Sequence, residues 1–453
     1  MNDTPEISEP SPDGGLADHP LTAQRLAKHQ ATLGGDGYPY RFERSDLAGD
    51  LHDGYGSLEP GTETEDQATV AGRLMAMRRM GKLIFAVLQD PTGRIQLFVD
   101  KRTLGDDAFD QFGDLDIGDW VGASGVVITT RKGEVSVRID SFELLARALR
   151  PLPDKWHGLQ DVEMRSRRRY IDLMVNEESH RIAVMRAKIV SELRRQFEAR
   201  GYVEVETPVL LNQATGALAR PFQTHHNALE QDMYLRIATE LYLKRLVVGG
   251  MERVFEVGRI FRNEGIDSNH NPEFTMLESY EAFADYYDIM DMVEEMVRAC
   301  AVVATGSTEI IYEGRPLDLA KPFRRVRMVD LVAEATGEEI GFDRPIGEMR
   351  TLAEKHGIEP DGSWGHGKII DQLFETLVAD DIWEPTYVLD HPKEISPLAR
   401  EHRDDPNLTE RYELFIAGAE YANAFSEVND PLDQRRRFEQ QAMARAEGDD
   451  EAH

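Results

Sequence analysis

FRNEGIDSNHNPEFTMLE, residues 261–278, is the stretch that decides the fold of this chain. It continues the apolar run at residues 254–261, and the two together predict a pair of β-strands joined by a polar loop. Arg262 can grip a carboxylate or phosphate with paired hydrogen bonds, and Phe274 offers a flat face for a purine ring. The pattern suits a nucleotide triphosphate held beside an amine, with a merely solvated hairpin as the alternative.

The size and composition of the chain are those of a globular protein with several domains. Its 453 residues exceed one compact core, and domains of ~150 residues would make two or three of them. The single cysteine, Cys300, excludes an intramolecular disulfide and is expected to be a small buried apolar residue. No apolar run reaches membrane-spanning length, and residues 1–15 are acidic and unlike a signal peptide, so we expect a disordered leader and a cytoplasmic location.

The net charge of −31 at pH 7 restricts the possible partners. Binding to a polyanion is favoured by basic surface, so a chain this acidic can bind RNA only where basic residues are concentrated. Such places occur at Arg78-Arg79, at Arg131-Lys132 and at residues 165–169. The remaining acidic excess favours solubility at high ionic strength.

The first part of the chain predicts an acidic leader, a helix and a small β-barrel. Residues 1–66 contain the leader, an amphipathic helix at 21–33 and an irregular polar segment. Residues 67–150 change to five short alternating runs with one helical interruption, which favours a barrel of the OB type, with a generic β-domain as the alternative. The runs cover residues 69–74, 83–90, 95–99, 120–129 and 135–145.

The remainder predicts a basic linker and a larger α+β domain. The linker, residues 151–180, carries RSRRRY at 165–170, for which a contact to a polynucleotide backbone and a solvated helix face are both open. In the domain at 181–453, residues 328–392 are less patterned and are expected to be an insertion. Helices are expected at 182–200, 286–304, 346–356 and 367–379, and strands at 203–205, 233–237, 253–261 and 274–282.

Three further segments, together with residues 261–278, resemble the class II lysyl-tRNA synthetases. They are RPLPDKWHGLQDVEMRSRRRYIDL at 150–173, ARPFQTHHNALEQDMYLRIATELYLKRLVVGG at 219–250 and FSEVNDPLDQ at 425–434. The resemblance runs from near residue 20 onward and implies an OB-fold anticodon-binding domain followed by a class II catalytic domain. That α+β fold is built on a mainly antiparallel sheet with flanking helices. The family joins L-lysine to ATP as lysyl-adenylate and then transfers the lysine to tRNA(Lys).

The resemblance also implies which residues hold lysine. Lysine has two ammonium groups and one carboxylate, so a selective pocket needs acceptors at both ends and one cation. An uncharged analogue would leave buried carboxylates unpaired, whereas an aspartate-specific or asparagine-specific relative would need cations or amides in their place. Carried over position by position, Arg262 and Asn423 take the carboxylate, Glu240 and the Gly216 carbonyl take the α-amine, and Glu278, Tyr280 and Glu427 surround the side-chain ammonium.

For ATP, the resemblance implies contacts to the base and to the phosphates. Glu264 meets the adenine amino group, Phe274 stacks on the ring, and His270 and Asn271 reach the phosphates. The lysine carboxylate is already ionised and attacks the α-phosphorus directly. Positioning and charge neutralisation are therefore expected to suffice without a basic side chain.

A magnesium ion is implied at Glu413 and Glu420, because two carboxylates suit a hard cation that prefers oxygen ligands. On one continuous strand these positions face opposite sides, so we expect a bulge at Ala417-Gly418 that turns both to one face. A pair of surface glutamates is the alternative. The adjacent His225 and His226 are interpreted as structural, since neighbouring strand residues point in opposite directions.

In the barrel, the family's anticodon readers match Arg78, Phe85, Gln96 and Glu134. An aromatic ring that stacks an unpaired base, with amide and charged groups at its edge, is how single-stranded RNA is read. A homodimer is also implied, because the family's interface is motif 1, here the helix from Ile182 and residues 202–208.

Two departures from the family pattern bear on activity. Asn269 stands where the family commonly has arginine, which removes one candidate phosphate contact. The third class II motif, which supplies an arginine for the γ-phosphate, follows the segment GDDEA in the family and is not in the printed sequence. The alternative functions are a non-catalytic tRNA-binding or regulatory relative and a paralogue that transfers lysine to protein, against which the barrel argues.

Overall fold

The protein is described by a computed structural model that covers residues 20–35, 37–153, 159–213, 219–267 and 270–446. The chain divides into two compact units, residues 1–180 and residues 181–453. Gly216 and Asn269, which the sequence singles out, lie outside the described residues. No described helix has both the length and the apolar character needed to cross a membrane.

The first unit is built around a closed five-stranded barrel with strand order β1-β2-β3-β5-β4. Its strands are β1 (Glu63–Met80), β2 (Leu83–Gln89), β3 (Arg94–Asp100), β4 (Trp120–Thr129) and β5 (Val135–Ala146). Its helices are α1 (Pro20–Gly34), α2 (Ala48–Tyr55), α3 (Lys101–Leu104), α4 (Asp106–Gly113), α5 (Val162–Arg167) and α6 (Arg169–Val175). The five strands and the helical interruption predicted from alternation are confirmed.

Strict alternation of side chains explains the barrel. On β2, Ile84, Ala86 and Leu88 are all at most 1% exposed, while their neighbours face outward. The barrel closes through sharp bends, and one of them requires glycine because a Cβ on Gly125 would lie 2.0 Å from the carbonyl oxygen of Arg138. The register of β4 against β5 shifts at this glycine, as expected of a bulge at a barrel corner.

The polar segment before the barrel is not irregular throughout, contrary to the expectation. Helix α2 forms within it although its sequence, AGDLHDGY, contains two glycines and favours helix weakly. Ala48 and Leu51 are buried in the barrel core, so tertiary packing overrides the local propensity. Strand β1 also begins earlier and ends later than the run at 69–74 indicates.

The second unit contains several small sheets with flanking helices. Its strands are β6 (Val203–Glu204), β7 (Leu210–Leu211), β8 (Gln223–His226), β9 (Gln231–Leu235), β10 (Arg253–Phe261), β11 (Glu273–Glu281), β12 (Glu309–Tyr312), β13 (Arg315–Asp318), β14 (Arg324–Arg327), β15 (Thr386–Leu389), β16 (Arg411–Ile416) and β17 (Ala419–Phe425). Its helices are α7 (Glu177–Ala199), α8 (Glu240–Val248), α9 (Tyr286–Thr305), α10 (Met328–Thr336), α11 (Ile346–Lys355), α12 (His366–Leu377) and α13 (Pro431–Ala446).

Two sheets of the second unit carry the residues of interest. One has the order β11-β10-β6, with β10 and β11 antiparallel over their whole length. The other has the order β14-β15-β16-β17. The strands predicted at 253–261 and 274–282 match β10 and β11 within one residue at each end.

The expected insertion does not separate cleanly from this second sheet. Residues 328–392 include helices α10, α11 and α12, which share an apolar core with strands of the sheet. They also include β15, all four of whose residues are buried, and which pairs with β14 on one side and β16 on the other. The helices can form an insertion, but β15 is an inner strand of the sheet itself.

Candidate functional site

The hairpin of β10 and β11 displays the chemistry that residues 261–278 predict. Glu278 pairs with Glu256 and Phe274 pairs with Ile260 across the two strands. Side chains alternate along a strand, so Phe274, Glu278 and Tyr280 share one face of β11. A flat ring and two polar groups therefore line one surface, with Phe274 roughly 13 Å along the strand from Glu278 at ~3.3 Å per residue.

Arg262 immediately follows the last residue of β10 and lies at the Phe274 end of this surface. Its backbone N–H donates to the Pro272 carbonyl over 2.9 Å, and its guanidinium carbon lies 5.3 Å from the centre of the Phe274 ring. The Nε atom of Arg262 is buried and has no hydrogen-bond partner among the described residues. A buried donor without an acceptor fits a site that binds an anion.

The described residues of the loop between the strands are largely exposed. Glu264, His270 and Asn271 are all exposed, and the His270 ring contacts Asp267 over 2.8 Å rather than any residue of the hairpin face. The structure thus brings Arg262 and Phe274 together, whereas the side chains of the other three expected ATP contacts are exposed.

The expected amine-binding residues do converge. Glu240 begins α8 and is 8% exposed. Glu278 accepts a hydrogen bond from the Thr239 N–H over 2.9 Å, and the Tyr280 hydroxyl points to its other oxygen at 3.5 Å. Glu427 follows β17 and reaches the same pocket through Lys244, whose ammonium contacts both Glu427 and Glu240. Three carboxylates and a phenol therefore share one pocket.

The electrostatics of this pocket are those of an incompletely neutralised acidic site. Burial raises the pKa of Glu278, which the Arg262 guanidinium partly offsets. Burial likewise raises the pKa of Glu427 to about 7. The pKa of Tyr280 lies well above its ordinary value because of burial and the three carboxylates around it, so the phenol remains a neutral donor. The pocket favours an added cation.

Glu413 and Glu420 belong to two strands rather than to one bulged strand, which corrects the expectation. The turn at Ala417-Gly418, where both residues have positive φ, makes β16 and β17 a tight hairpin. Glu420 pairs with Phe415, two residues from Glu413, so the two carboxylates share a face. A bulge does occur, but at Tyr421, and it brings Asn423 opposite Glu413.

The carboxylates of this hairpin are organised by partners that the sequence did not reveal. Arg411 donates to Glu413 over 2.6 Å and to the Asn423 side-chain oxygen over 3.3 Å, while Asn423 donates to Glu413 over 3.2 Å. Partial desolvation and the charge of Glu413 raise the pKa of Glu420 to about 7. Asn423 is therefore engaged with Glu413 and Arg411 rather than with Arg262.

Two acidic residues of α12 add to the negative field at the hairpin. Burial raises the pKa of both Asp371 and Glu375, and the charge of Glu413 contributes to each rise. No group of three or more His, Cys, Asp or Glu side chains is gathered tightly enough to hold a metal within the described part of the chain. A pair of carboxylates fits a magnesium ion whose other ligands are phosphate oxygens and water.

Sequence reasoning missed Lys244, Arg411, Asp371 and Glu375. One signal was available for the first, because Glu240 and Lys244 are four residues apart on a predicted helix and so face the same way. No signal was available for Arg411, since its partners are set by the pairing of β16 with β17. The α12 pair faces the hairpin only because of tertiary packing.

Three of the four expected anticodon readers, Arg78, Phe85 and Gln96, share one outer face of the barrel. Arg78 pairs with Phe85 across β1 and β2, Phe85 pairs with Phe98 across β2 and β3, and Gln96 donates to Ser136 over 2.8 Å. Phe98 is an addition to the expected set, with its ring centre 5.4 Å from that of Phe85 in an edge-to-face arrangement. Glu134 lies exposed two residues before Ser136. This face combines aromatic, amide and charged groups.

Several arginines of the basic segment at 165–170 form ion pairs with acidic residues of the linker itself. Arg165 and Arg169 both contact Asp172, whose side chain is fully buried, over 2.8 and 2.5 Å. Arg167 pairs with Glu163 on the same helix. At least two of the four arginines therefore organise the linker itself.

His225 and His226 are both exposed on β8, and the His225 ring contacts Asp232 over 2.9 Å.

Two stretches of the chain match known families. Residues 161–453 match the model of the class II tRNA synthetases (D, K and N), and residues 68–145 match the OB-fold nucleic acid binding domain. The chain belongs to the class II tRNA synthetases of this group.

Curated relatives narrow the resemblance within that class. A lysine–tRNA ligase of Enterococcus faecalis is 51% identical over 440 residues, which cover 97% of this chain and 88% of that protein. One from Gloeobacter violaceus is 52% identical over 421 residues, covering 92% and 85% of the two chains. One from Staphylococcus aureus strain MW2 is 48% identical over 442 residues, covering 97% and 89%.

Proposed function

We propose that this chain is an ATP-dependent ligase that activates L-lysine as lysyl-adenylate and transfers it to the 3′ end of tRNA(Lys). The observation that carries the proposal is the convergence of Glu240, Glu278, Tyr280 and Glu427 on one pocket beside Arg262. The curated relatives are named for the same reaction. The described residues offer no observation in favour of a non-catalytic relative.

The pocket selects lysine by charge at both ends. The buried Nε of Arg262 lacks an acceptor, and the substrate carboxylate would supply one. Glu240 would take the α-amine, while Glu278, Tyr280 and Glu427 would take the side-chain ammonium. A neutral side chain of the same length would leave buried carboxylates unpaired, so it binds less well by several kcal/mol.

Adenylation requires only that the reactants be held in line. The lysine carboxylate attacks the α-phosphorus of ATP, the new O–P bond forms, and diphosphate leaves with the electrons of the broken bond. Phe274 would stack on adenine, with Glu264, His270 and Asn271 closing over ATP from the exposed loop. Glu413 and Glu420 would hold a magnesium ion, which when bound neutralises phosphate charge.

In the second step, the terminal adenosine hydroxyl of tRNA attacks the lysyl carbonyl and AMP leaves. We propose that Arg78, Phe85, Gln96 and Glu134 read the anticodon, because a half-buried aromatic ring with polar groups near it suits an unstacked base. The substrates of this reaction meet in the cytoplasm, which is therefore the proposed location.

A homodimer is also proposed, through the motif 1 elements. Ile182 on α7, Val203 on β6 and Leu210 on β7 are 47%, 49% and 47% exposed. Apolar side chains left open on neighbouring elements of one unit are typical of a protein interface. Sedimentation at micromolar concentration is expected to give a dimer, and Val203→Glu is expected to weaken it; a wild-type monomer would contradict the proposal.

Lysine-dependent exchange of pyrophosphate into ATP tests the proposed chemistry. The wild-type chain is expected to exchange with lysine and not with aspartate or asparagine. Glu278→Gln should lose about 3 kcal/mol of transition-state binding, or roughly a hundredfold in kcat/KM for lysine. The matched control is Glu273→Gln on the same strand, whose side chain is 54% exposed and pairs only with the exposed Arg259. Exchange that does not depend on lysine, or equal losses in both variants, would overturn the proposal.

A further inference from the structure

The Lys244 ammonium stands inside the amine pocket. It lies 2.6 Å from Glu240 Oε1 and 2.7 Å from Glu427 Oε2, and its side chain is 24% exposed. The same ammonium lies 5.9 Å from the centre of the Tyr280 ring and 5.6 Å from that of Phe425. The chain therefore surrounds one of its own lysine side chains with two carboxylates and two aromatic rings.

The formal charges of the pocket indicate the role of the Lys244 ammonium. The pocket contains the three carboxylates Glu240, Glu278 and Glu427, and it contains two cations, Lys244 and Arg262. When all five groups are ionised, one negative charge remains unmatched, and a lysine molecule with two ammonium groups and one carboxylate carries one net positive charge. The pocket with its proposed substrate is neutral, and without Lys244 it would not be.

We propose that Lys244 is a positioning and specificity-determining residue that bridges Glu240 and Glu427 and leaves the pocket with one more carboxylate than cations. This inference rests on the proposed function, since it takes lysine as the substrate. It concerns a residue beyond those already placed in contact with lysine, ATP or magnesium.

The geometry leaves both carboxylates free to bind substrate as well. An ionised carboxylate has two oxygens and about four acceptor positions, and Lys244 occupies one oxygen of each partner. The helical spacing of Glu240 and Lys244 fixes the ammonium on α8, so it orients Glu427 from a rigid element. Lys244 acts through these two residues rather than on the reacting atoms.

The charged groups facing Glu427 indicate the expected pH behaviour. They are Glu240 and Lys244 on α8 and Tyr280 on β11. Burial raises the pKa of Glu427 and the Lys244 ammonium opposes that rise. Burial alone would lower the pKa of Lys244, but Glu427 and Glu240 raise it, so Lys244 remains charged. Loss of Lys244 would leave Glu427 protonated at neutral pH.

Calorimetric titration of lysine into the full chain between pH 6 and pH 8.5 tests the inference. Variants are Lys244→Met, which removes the charge, and Lys244→Arg, which keeps it. Arg245→Met is the matched control, because it removes one positive charge from an exposed position of the same helix. The measured quantity is the Kd of each variant divided by that of the wild type, so titration of free lysine cancels.

For Lys244→Met we expect the Kd ratio to be largest at pH 6 and to fall as the pH rises. The total fall should be roughly tenfold for each pH unit by which the substitution raises the pKa of Glu427. Lys244→Arg is expected to keep a nearly constant ratio, and Arg245→Met a ratio near one. A pH-independent ratio for Lys244→Met, or matching profiles for Lys244→Met and Lys244→Arg, would overturn the inference. A wild-type chain that binds no lysine would overturn the proposed function as well, so the two failures are distinct.

Discussion

The ion pair of Arg236 and Glu256 beside the lysine pocket offers a quantitative test of how the site is supported. Arg236 is 3% exposed and Glu256 is 4% exposed, and their charged atoms lie 2.5 Å apart. Arg236 also donates to the Arg259 carbonyl, and Glu256 accepts from both the N–H and the hydroxyl of Thr207. Glu256 pairs with Glu278 across the hairpin, so the two side chains share one face and this network lies beside a proposed substrate-binding residue.

Replacing Glu256 by alanine would leave a buried guanidinium without its counter-charge. Breaking such a pair from one side costs about 3–5 kcal/mol, and Thr207 would lose its acceptor as well. Glu256→Gln keeps the shape and one acceptor oxygen, so we expect about half that loss. Arg236→Met combined with Glu256→Gln removes the unpaired charge and should be less destabilised than Glu256→Ala.

Hydrogen exchange followed by mass spectrometry suits this test, because peptides from β10 report the free energy of opening of that strand. The matched control is Glu204→Ala in the neighbouring strand β6. Glu204 contacts Arg194 over 2.8 Å, but the two side chains are 34% and 39% exposed. An exposed pair contributes about 0–1 kcal/mol. If Glu256→Ala lowers the opening free energy of β10 no more than Glu204→Ala does, the supporting role of the buried pair is refuted.

Three further outcomes follow from the structure. Phe85→Ala is expected to raise the KM for tRNA(Lys) by roughly 10- to 100-fold, since stacking contributes about 1–3 kcal/mol, while sparing lysine-dependent pyrophosphate exchange; equal loss of both would contradict anticodon reading. Burial raises the Glu427 pKa to about 7 from 4.5, so the folded chain holds a proton that the unfolded chain has released, and the Tm without lysine should fall as pH rises through that window. Glu427→Gln should flatten this slope, and an unchanged slope would rule the assignment out. Gly258→Ala places a Cβ 2.1 Å from Arg236 Nη2 and should cost about 1–3 kcal/mol in urea unfolding, whereas Gly341→Ala, with no atom within 4 Å, is the control that should cost little.

The parts of the fold that sequence could predict are those where one local pattern dominates. The barrel strands alternate cleanly because one face of each is buried, and β10 is rich in the β-branched and aromatic residues that favour a strand. Helix α2 and the β16–β17 hairpin lack such patterns. The sequence of α2 contains two glycines, and the turn of the hairpin places an alanine at positive φ. Packing rather than local propensity therefore determines both elements.

In the candidate site, the residue types could be predicted from the sequence but their contacts could not. The roles of Arg262, Glu278 and Glu427 in an anion site and an amine site come from the resemblance to the class II family, and the chemistry of one guanidinium and two carboxylates agrees with them. The contacts among them do not follow from the sequence, since they depend on which elements pack together. Lys244 illustrates the limit: its spacing from Glu240 suggests a helical pair, but its second partner follows β17, far along the chain.

The charge deficit of the pocket links specificity to stability. Burial raises the pKa of both Glu278 and Glu427, which means that the empty pocket holds ionised carboxylates less readily than water does. A substrate that brings one net positive charge offsets the unfavourable free energy of burying ionised carboxylates. Part of its binding free energy therefore comes from this electrostatic compensation rather than from new contacts. A neutral analogue of equal size makes the same contacts without the compensation. Rejection of such analogues should therefore weaken at low pH, where the glutamates are already protonated, even though the shape of the pocket has not changed.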